Sequence, residues 1–299
     1  MEKRQHHKDK KLISNVQKVD FTTDIDDEIM DNIFFFEPGE KLIQGREAIL
    51  SNKNNIEKRE KVNPQACLTS YPAIQGQIIA QYGRAASLGS GALCKDANNH
   101  VFLLTAAHNF VQIHEALDYK VNYSEKIMFD LCKSEARNYL KRFRVMTYIV
   151  HPLYINNHHF SQGYDIAVAR LCMTDQEQAE IPVSEDSFWT NIEEIELKIN
   201  DDLCVIGYPG EYNGLIYQMK GTVANIIEKE GLNKVLIYED IDTTKGQSGG
   251  SVYTIKDGFY FRVGVHAGCD KTLNANVATA ITPEIHKWIQ SAVGLMYNQ

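Results

Sequence analysis

The stretch Thr243-Thr244-Lys245-Gly246-Gln247-Ser248-Gly249-Gly250-Ser251 sets a serine between glycines, after a polar lead-in and before the apolar pair Val252-Tyr253. That setting suits a nucleophile. Its oxygen must project from a sharp turn, and nearby main-chain N–H groups must converge where a carbonyl oxygen gains charge during acyl transfer. Glycine permits both, because it adopts backbone angles other residues avoid and lets a substrate approach the main chain. Taken alone, G-x-S-G-G is more often a glycine-rich hairpin turn.

Serine attack at neutral pH needs a base, and the base needs an orienting group. Two upstream stretches offer them. Leu103-Leu104-Thr105-Ala106-Ala107-His108 runs an apolar strand into two small residues and a histidine. The small residues let an imidazole lie close to the main chain at the strand end. Tyr164-Asp165-Ile166-Ala167-Val168-Ala169-Arg170-Leu171 puts an acid at the mouth of an apolar strand. Partial burial there demands a donor partner. Each has a plainer reading, as a hydrogen-bonded structural histidine and a turn-capping aspartate. Together His108, Asp165 and Ser248 stand in an order known for such triads.

The elements that must position them read as strands. From about residue 66 short apolar runs alternate with turn residues. Strands are expected near 77–81, 90–94, 101–105, 144–150, 165–171, 203–207, 218–227, 235–238, 251–254 and 259–266. Asn98-Asn99, Pro209-Gly210, Glu230-Gly231 and Asp257-Gly258 supply turns. Many short strands with few helices indicate an all-β, antiparallel sandwich or barrel architecture. Thr282-Pro283-Glu284 followed by Ile285, Trp288, Ile289 and Val293 at helical spacing predicts a C-terminal amphipathic helix over 282–293. Residues 124–141 are a weaker helical candidate.

The chain has 299 residues, 43% hydrophobic, with a formal net charge of -8. That acidity argues against a nucleic-acid partner. No apolar run approaches the ~20 residues of a membrane-spanning helix. Met1 to Leu12 lacks the apolar core of a signal peptide. The six cysteines, Cys67, Cys94, Cys132, Cys172, Cys204 and Cys269, form no C-x-x-C pair. They read as free thiols, several in the core, and neither a metal site nor a cofactor is expected. Residues 1–20 are basic and 21–40 acidic, the pattern of a solvated extension. His6-His7 there reads as incidental. Ile33-Phe34-Phe35-Phe36 is apolar enough to dock on the globular part.

Thr105-Ala106-Ala107-His108, the 164–171 stretch and Gly246 to Ser251 together resemble the chymotrypsin-like serine proteases. Val205-Ile206-Gly207-Tyr208-Pro209-Gly210, Asp242-Thr243-Thr244, Val263-Gly264-Val265-His266-Ala267-Gly268 and the lead-in 59–74 narrow the likeness to the glutamyl endopeptidase branch. The likeness covers about 49–293. It implies two six-stranded antiparallel β-barrels, the first over about 66–175 and the second over about 195–281, with the site between them. It implies a protease domain over 49–299 behind an N-terminal extension, 1–48. That extension is read as a removable pro-segment, because Ile49-Leu50-Ser51-Asn52 is similar to the family's mature start; the N-terminus of the active protein reports on this. By resemblance His108 is the base, Asp165 its orienter and Ser248 the nucleophile. The N–H groups of Gly246 and Ser248 form the oxyanion hole.

Substrate preference rests on Thr243 and His266, which match the positions that hold a glutamate carboxylate in that branch. A hydroxyl and an imidazole N–H both suit a carboxylate. Asp242 stands where trypsin-like relatives keep the acid that selects Lys or Arg, so cleavage after basic residues is the alternative; a non-catalytic binding module is another. The expected partners are peptide or protein substrates of a monomer. The close family is largely secreted, yet no export signal is recognisable, so the compartment stays open. Three positions depart from the family pattern. Gln247 replaces the aspartate that pairs with a freed N-terminal amine, Asn109 replaces the cysteine after the histidine, and Ser251 replaces a proline.

Overall fold

Two closed antiparallel sheets account for nearly all the strands in the computed structural model. It describes residues 16–18, 59–63, 74–83, 85–114, 120–133, 140–156, 162–182, 191–212, 214–228, 232–270 and 273–298. The His6-His7 pair, the apolar run 33–36, the segment 49–52 and the turn at 230–231 lie outside these residues. In chain order the strands are β1 (Val16–Lys18), β2 (Glu60–Lys61), β3 (Ile74–Tyr82), β4 (Ala85–Lys95), β5 (Val101–Thr105), β6 (Val111–His114), β7 (Lys120–Tyr123), β8 (Lys126–Leu131), β9 (Lys141–Val150) and β10 (Ala167–Leu171). They continue with β11 (Asp202–Gly207), β12 (Tyr217–Ile227), β13 (Val235–Glu239), β14 (Ser251–Lys256), β15 (Phe259–Asp270) and β16 (Ala275–Ala280).

The first barrel runs β9-β10-β5-β4-β3-β8 and closes where β8 pairs with β9. The second runs β11-β14-β15-β16-β13-β12 and closes where β12 pairs with β11. Closure removes the sheet edges that would otherwise present unpaired backbone groups. The five residues of β5 are all buried, which is why that strand reads as an uninterrupted apolar run. The loop between β14 and β15 is a two-residue turn with Asp257 at φ 52° and Gly258 at φ 80°. Positive φ at both positions matches the right-handed strand twist, as the Asp-Gly pair predicts. β1 lies along Thr147–Ile149 of β9. β2 pairs with the start of β12.

Residues 124–141 correct the sequence reading. The weak helical candidate contains β8, whose burial alternates over Lys126 to Phe129, the period of a strand, before Asp130 and Leu131 are both buried. The register of β8 on β3 then fixes its apolar face inward. β16 was not foreseen; its alanines, Ala275, Ala278 and Ala280, give little periodic signal.

The C-terminal helix forms as expected and runs four residues further, over Pro283–Tyr297. Thr282 caps it, accepting from the Ile285 N–H while donating to Asn233 Oδ1 at 2.6 Å. The helix leaves the second barrel and packs on β9 and β10 of the first. Its buried face comprises Ile285, Trp288, Ile289, Ala292, Val293 and Met296. Arg170 Nη1 donates to Met296 O at 3.1 Å, and the Tyr297 hydroxyl donates to Val101 O. The second barrel's tail thus straps the first. Cys94, Cys132, Cys204 and Cys269 are buried and Cys172 is exposed, each outside any disulfide.

His151 lies under this helix, its ring 4.8 Å from those of both Tyr164 and Trp288. Burial pushes its pKa down from the ordinary 6.5 to about 3. The unfolded chain takes up a proton below about 6.5 that the folded chain refuses, so this part of the stability is present above that pH and is lost as pH falls toward 3. For His151→Phe, the slope of unfolding free energy against pH between about 6 and 4 should be shallower by up to about 1.4 kcal/mol per pH unit. Urea denaturation across that range measures it, and an unchanged slope would show that His151 is not held neutral.

Candidate active site

At the end of β5 the chain passes buried Ala106 and turns through a 3-10 turn, Ala107–Asn109, in which Ala107 is also buried. His108 leaves that turn toward the cleft. Its Nδ1 lies 2.6 Å from Asp165 Oδ2, and its main-chain N–H donates to Asp165 Oδ1 at 3.0 Å. Both carboxylate oxygens therefore hold one residue, fixing the plane of the ring and its place on the chain. Asp165 is fully buried and sits just before β10, which starts at Ala167 rather than at 165. With the carboxylate at Nδ1, that nitrogen carries the hydrogen and Nε2 is left as the acceptor.

Ser248 comes from the second barrel, on the loop before β14, and is half-buried. Its main chain is fixed on both sides. The 247–248 peptide is held by Gly250 N–H to Gln247 O, 2.9 Å. The 248–249 peptide is held by Gly249 N–H to His266 O, 2.8 Å, and by two donors to Ser248 O: Ser90 N–H at 2.7 Å and Asn109 Nδ2 at 2.9 Å. Fixing both flanking peptides fixes the direction in which the side chain leaves. The Ser248 hydroxyl makes no hydrogen bond to His108 here; such contacts often tighten only around substrate.

The same logic orients the neighbouring N–H groups. In a trans peptide the N–H points opposite to the C=O. Lys245 O accepts from Gly210 N–H at 2.7 Å, so the Gly246 N–H faces the other way; Gln247 O is held by Gly250, so the Ser248 N–H does likewise. Among the described residues neither N–H is taken by a protein acceptor. Gly246 has φ 95°, and a Cβ there would lie 2.5 Å from Tyr208 O. Gly249 has φ 84°, and a Cβ there would lie 2.1 Å from Thr105 Oγ1. The glycines flanking Gln247-Ser248 thus answer a backbone requirement and a close approach at once.

Thr243 is buried and donates to Asn276 Oδ1 at 3.1 Å. His266 is buried too, with Nδ1 2.5 Å from the Tyr238 hydroxyl, which also reaches Val277 O at 2.8 Å. Consecutive residues of β16, 276 and 277, therefore hold Thr243 directly and His266 through Tyr238. The β15–β16 register shifts between His266 and Gly268, a bulge that re-aims the strand at this point. Burial first, then the charge of His108, lowers the His266 pKa to about 3, opposed by the Val277 backbone and Asp165. Asp242, next to Thr243, is buried and has interactions of its own within the fold.

The three departures acquire structural roles. Gln247 is buried, and its Oε1 accepts from Thr244 N–H at 2.8 Å, closing the loop without a carboxylate. Ser251 Oγ lies 3.0 Å from Gln75 Nε2. Asn109 reaches Ser248 O. Sequence reasoning missed Ser90, whose Oγ donates to Gly246 O at 2.7 Å and accepts from Tyr208 N–H at 2.8 Å. Its signal was the small run Gly89-Ser90-Gly91 inside a strand, a mark of close backbone approach. Tyr238 and Asn276 were missed as well, and nothing in their neighbourhood of the sequence announces them.

A sequence model described as Trypsin matches residues 77–289. The chain belongs to the trypsin family and is a serine-type endopeptidase. Among curated proteins none matches. Of solved structures, a Glu endopeptidase in complex with MPD is similar at 20% identity and TM-score 0.58, over 80% of this chain and 98% of that one. Protease Anisep from Arthrobacter nicotinovorans is similar at 16% identity and TM-score 0.57, over 79% of this chain and 99% of that one. A thermostable serine protease AL20 from an extremophilic microorganism is similar at 13% identity and TM-score 0.57, over 79% and 100% respectively. At such identities the likeness speaks for the fold, and the two barrels bear out the architecture expected from the sequence.

Ser90→Ala removes one hydroxyl that satisfies two buried main-chain groups. It should cost about 1–3 kcal/mol of stability. Chemical denaturation of the purified variant measures the loss, and a change within about 0.5 kcal/mol would mean that water replaces the hydroxyl without penalty.

Proposed function

We propose that the protein hydrolyses peptide bonds through His108, Asp165 and Ser248 and cuts after glutamate, with aspartate as the second choice. The observation that carries this is the two-point grip of Asp165 on His108, with the adjoining Asn109 bonded to the main chain of Ser248. His108 Nε2 takes the Ser248 proton as the oxygen attacks the substrate carbonyl, forming a tetrahedral oxyanion. The N–H groups of Gly246 and Ser248 receive that charge, a contribution worth about 10²–10³ in rate where one such donor is removed. Asp165 steadies the imidazolium, which then gives its proton to the leaving amine. Water, activated by the same ring, releases the acyl group from Ser248.

The preference for glutamate rests on a Thr243 hydroxyl and a His266 imidazole held by adjoining residues of one strand. Ser248→Ala should lower kcat by on the order of 10⁴-fold or more with the fold intact. His266→Ala should cost about 10–100-fold in kcat/KM for glutamyl peptides, the loss of one hydrogen bond to a charged group, and Thr243→Ala the same once its hydroxyl hydrogen turns from Asn276 Oδ1 to the substrate. A peptide-library digest decides the preference: cuts after Lys or Arg assign the pocket to Asp242, and no cuts together with no serine-directed phosphonate labelling leave a binding module.

Tyr238 has one hydroxyl hydrogen. Val277 O can only accept it, so the hydrogen between Tyr238 and His266 belongs to His266 Nδ1, and the neutral ring leaves Nε2 bare. A carboxylate facing Nε2 therefore binds together with a proton. The ratio of kcat/KM for a glutamyl peptide over its matched glutaminyl peptide should fall, by up to about tenfold per unit, as pH rises from about 6 to 9. The ratio cancels the shared titration of the chemical step. A ratio that stays flat would show that no proton enters with the substrate.

A further inference from the structure

We propose that Asn109 is a positioning residue that sets the distance between the base and the nucleophile across the cleft. The inference rests on the triad reading above. His108 and Ser248 lie in different barrels, so something must hold their separation against barrel motion. Asn109 is the next residue after His108 and is 3% exposed. Its own main chain is anchored: its N–H donates to Ala106 O at 3.2 Å, and its C=O accepts from the Tyr82 hydroxyl at 2.9 Å. From that fixed point the side-chain amide donates to Thr105 Oγ1 at 2.9 Å and to Ser248 O at 2.9 Å, with Ser90 O further off at 3.4 Å.

The orientation of the amide follows from its surroundings. Ser248 O and Ser90 O can only accept. Thr105 Oγ1 donates its hydrogen to Ser90 O at 2.7 Å and so offers Asn109 a lone pair. All three neighbours call for N–H donors, and two hydrogens are available. A continuous run of bonds then leads from Asp165 through the His108 main chain to Asn109 and on to the carbonyl of Ser248. Removing the link leaves Ser248 O with one donor instead of two and lets the barrels shift relative to each other. A displacement well under 1 Å matters to proton transfer, because rate depends steeply on alignment of the reacting atoms.

The side chain also fills space. It lies on Gly89, where a Cβ would come within 2.5 Å of Asn109 Cγ. The packing role and the positioning role can therefore be separated. Cysteines at both positions would bridge β4 to the turn and restore the lost packing, but a disulfide cannot donate to Ser248 O. Asp at 109 keeps the shape and replaces the donor by an acceptor facing two carbonyl oxygens.

In the full chain, Asn109→Ala should lower kcat about tenfold with KM changed less than about twofold, the effect of one lost hydrogen bond expressed in the transition state. Asn109→Asp should lose at least as much. The oxidised Gly89→Cys, Asn109→Cys pair should recover the native Tm while its kcat stays depressed. Native kcat in either single variant, or recovery of kcat together with Tm in the cysteine pair, overturns the proposal. Phosphonate labelling separates this failure from failure of the triad. Native protein that labels at Ser248, with Asn109→Ala labelling at the same rate, removes the positioning role alone. Native protein that does not label at Ser248 removes the triad and the positioning role with it.

Discussion

The carbonyl oxygen of Ser248 is a point where the two barrels meet in hydrogen bonds. It accepts from Ser90 on β4 and from Asn109 beside His108, both in the first barrel, while the serine itself belongs to the second. A site divided between two barrels has no covalent guarantee of its geometry, since every residue of one half is many peptide bonds from the other. Main-chain polarity supplies the guarantee instead. The backbone groups of the 245–250 loop must be satisfied once buried, and the partners that satisfy them also fix which way the loop faces.

The departures from the family pattern belong to the same system. Where relatives carry a cysteine, an aspartate and a proline, this chain has Asn109, Gln247 and Ser251, each a residue that can both donate and accept. Asn109 and Ser251 bond across to the opposite barrel, and Gln247 closes its own loop. Gln75 illustrates how dense the interface is: its amide nitrogen lies 3.0 Å from both Ser251 Oγ and the Tyr253 hydroxyl. Buried networks of this kind are strong when complete, because the low dielectric strengthens each bond and penalises each loss. The C-terminal helix adds an apolar counterpart, burying Trp288 and its neighbours against the first barrel after the second has ended.

The candidate triad was legible because its chemistry leaves short local signatures. Small residues before His108, an acid at the mouth of an apolar strand and glycines around Ser248 are each dictated by neighbours in sequence. Strand positions were legible for the same reason, through alternation, continuous burial and turn residues such as Asp257-Gly258. The stretch around β8 misled because Lys126 to Leu131 is followed by polar residues that blur a two-residue period into something helix-like. β16 escaped because alanine contributes little contrast between its buried and exposed faces.

The sequence by itself determined an antiparallel all-β architecture and the C-terminal helix, which follow from propensity and periodicity. Its resemblance to a known family supplied the two barrels and the candidate residues for acyl transfer. Only the tertiary structure decided that Ser90 and Asn109 fix the serine loop, that Tyr238 holds His266, and that Asn276 holds Thr243. Those partners are separated by tens to well over a hundred residues, and their pairing depends on the register of closed sheets. A one-residue slip in such a sheet turns each side chain to the opposite face, so no local pattern can encode the contact.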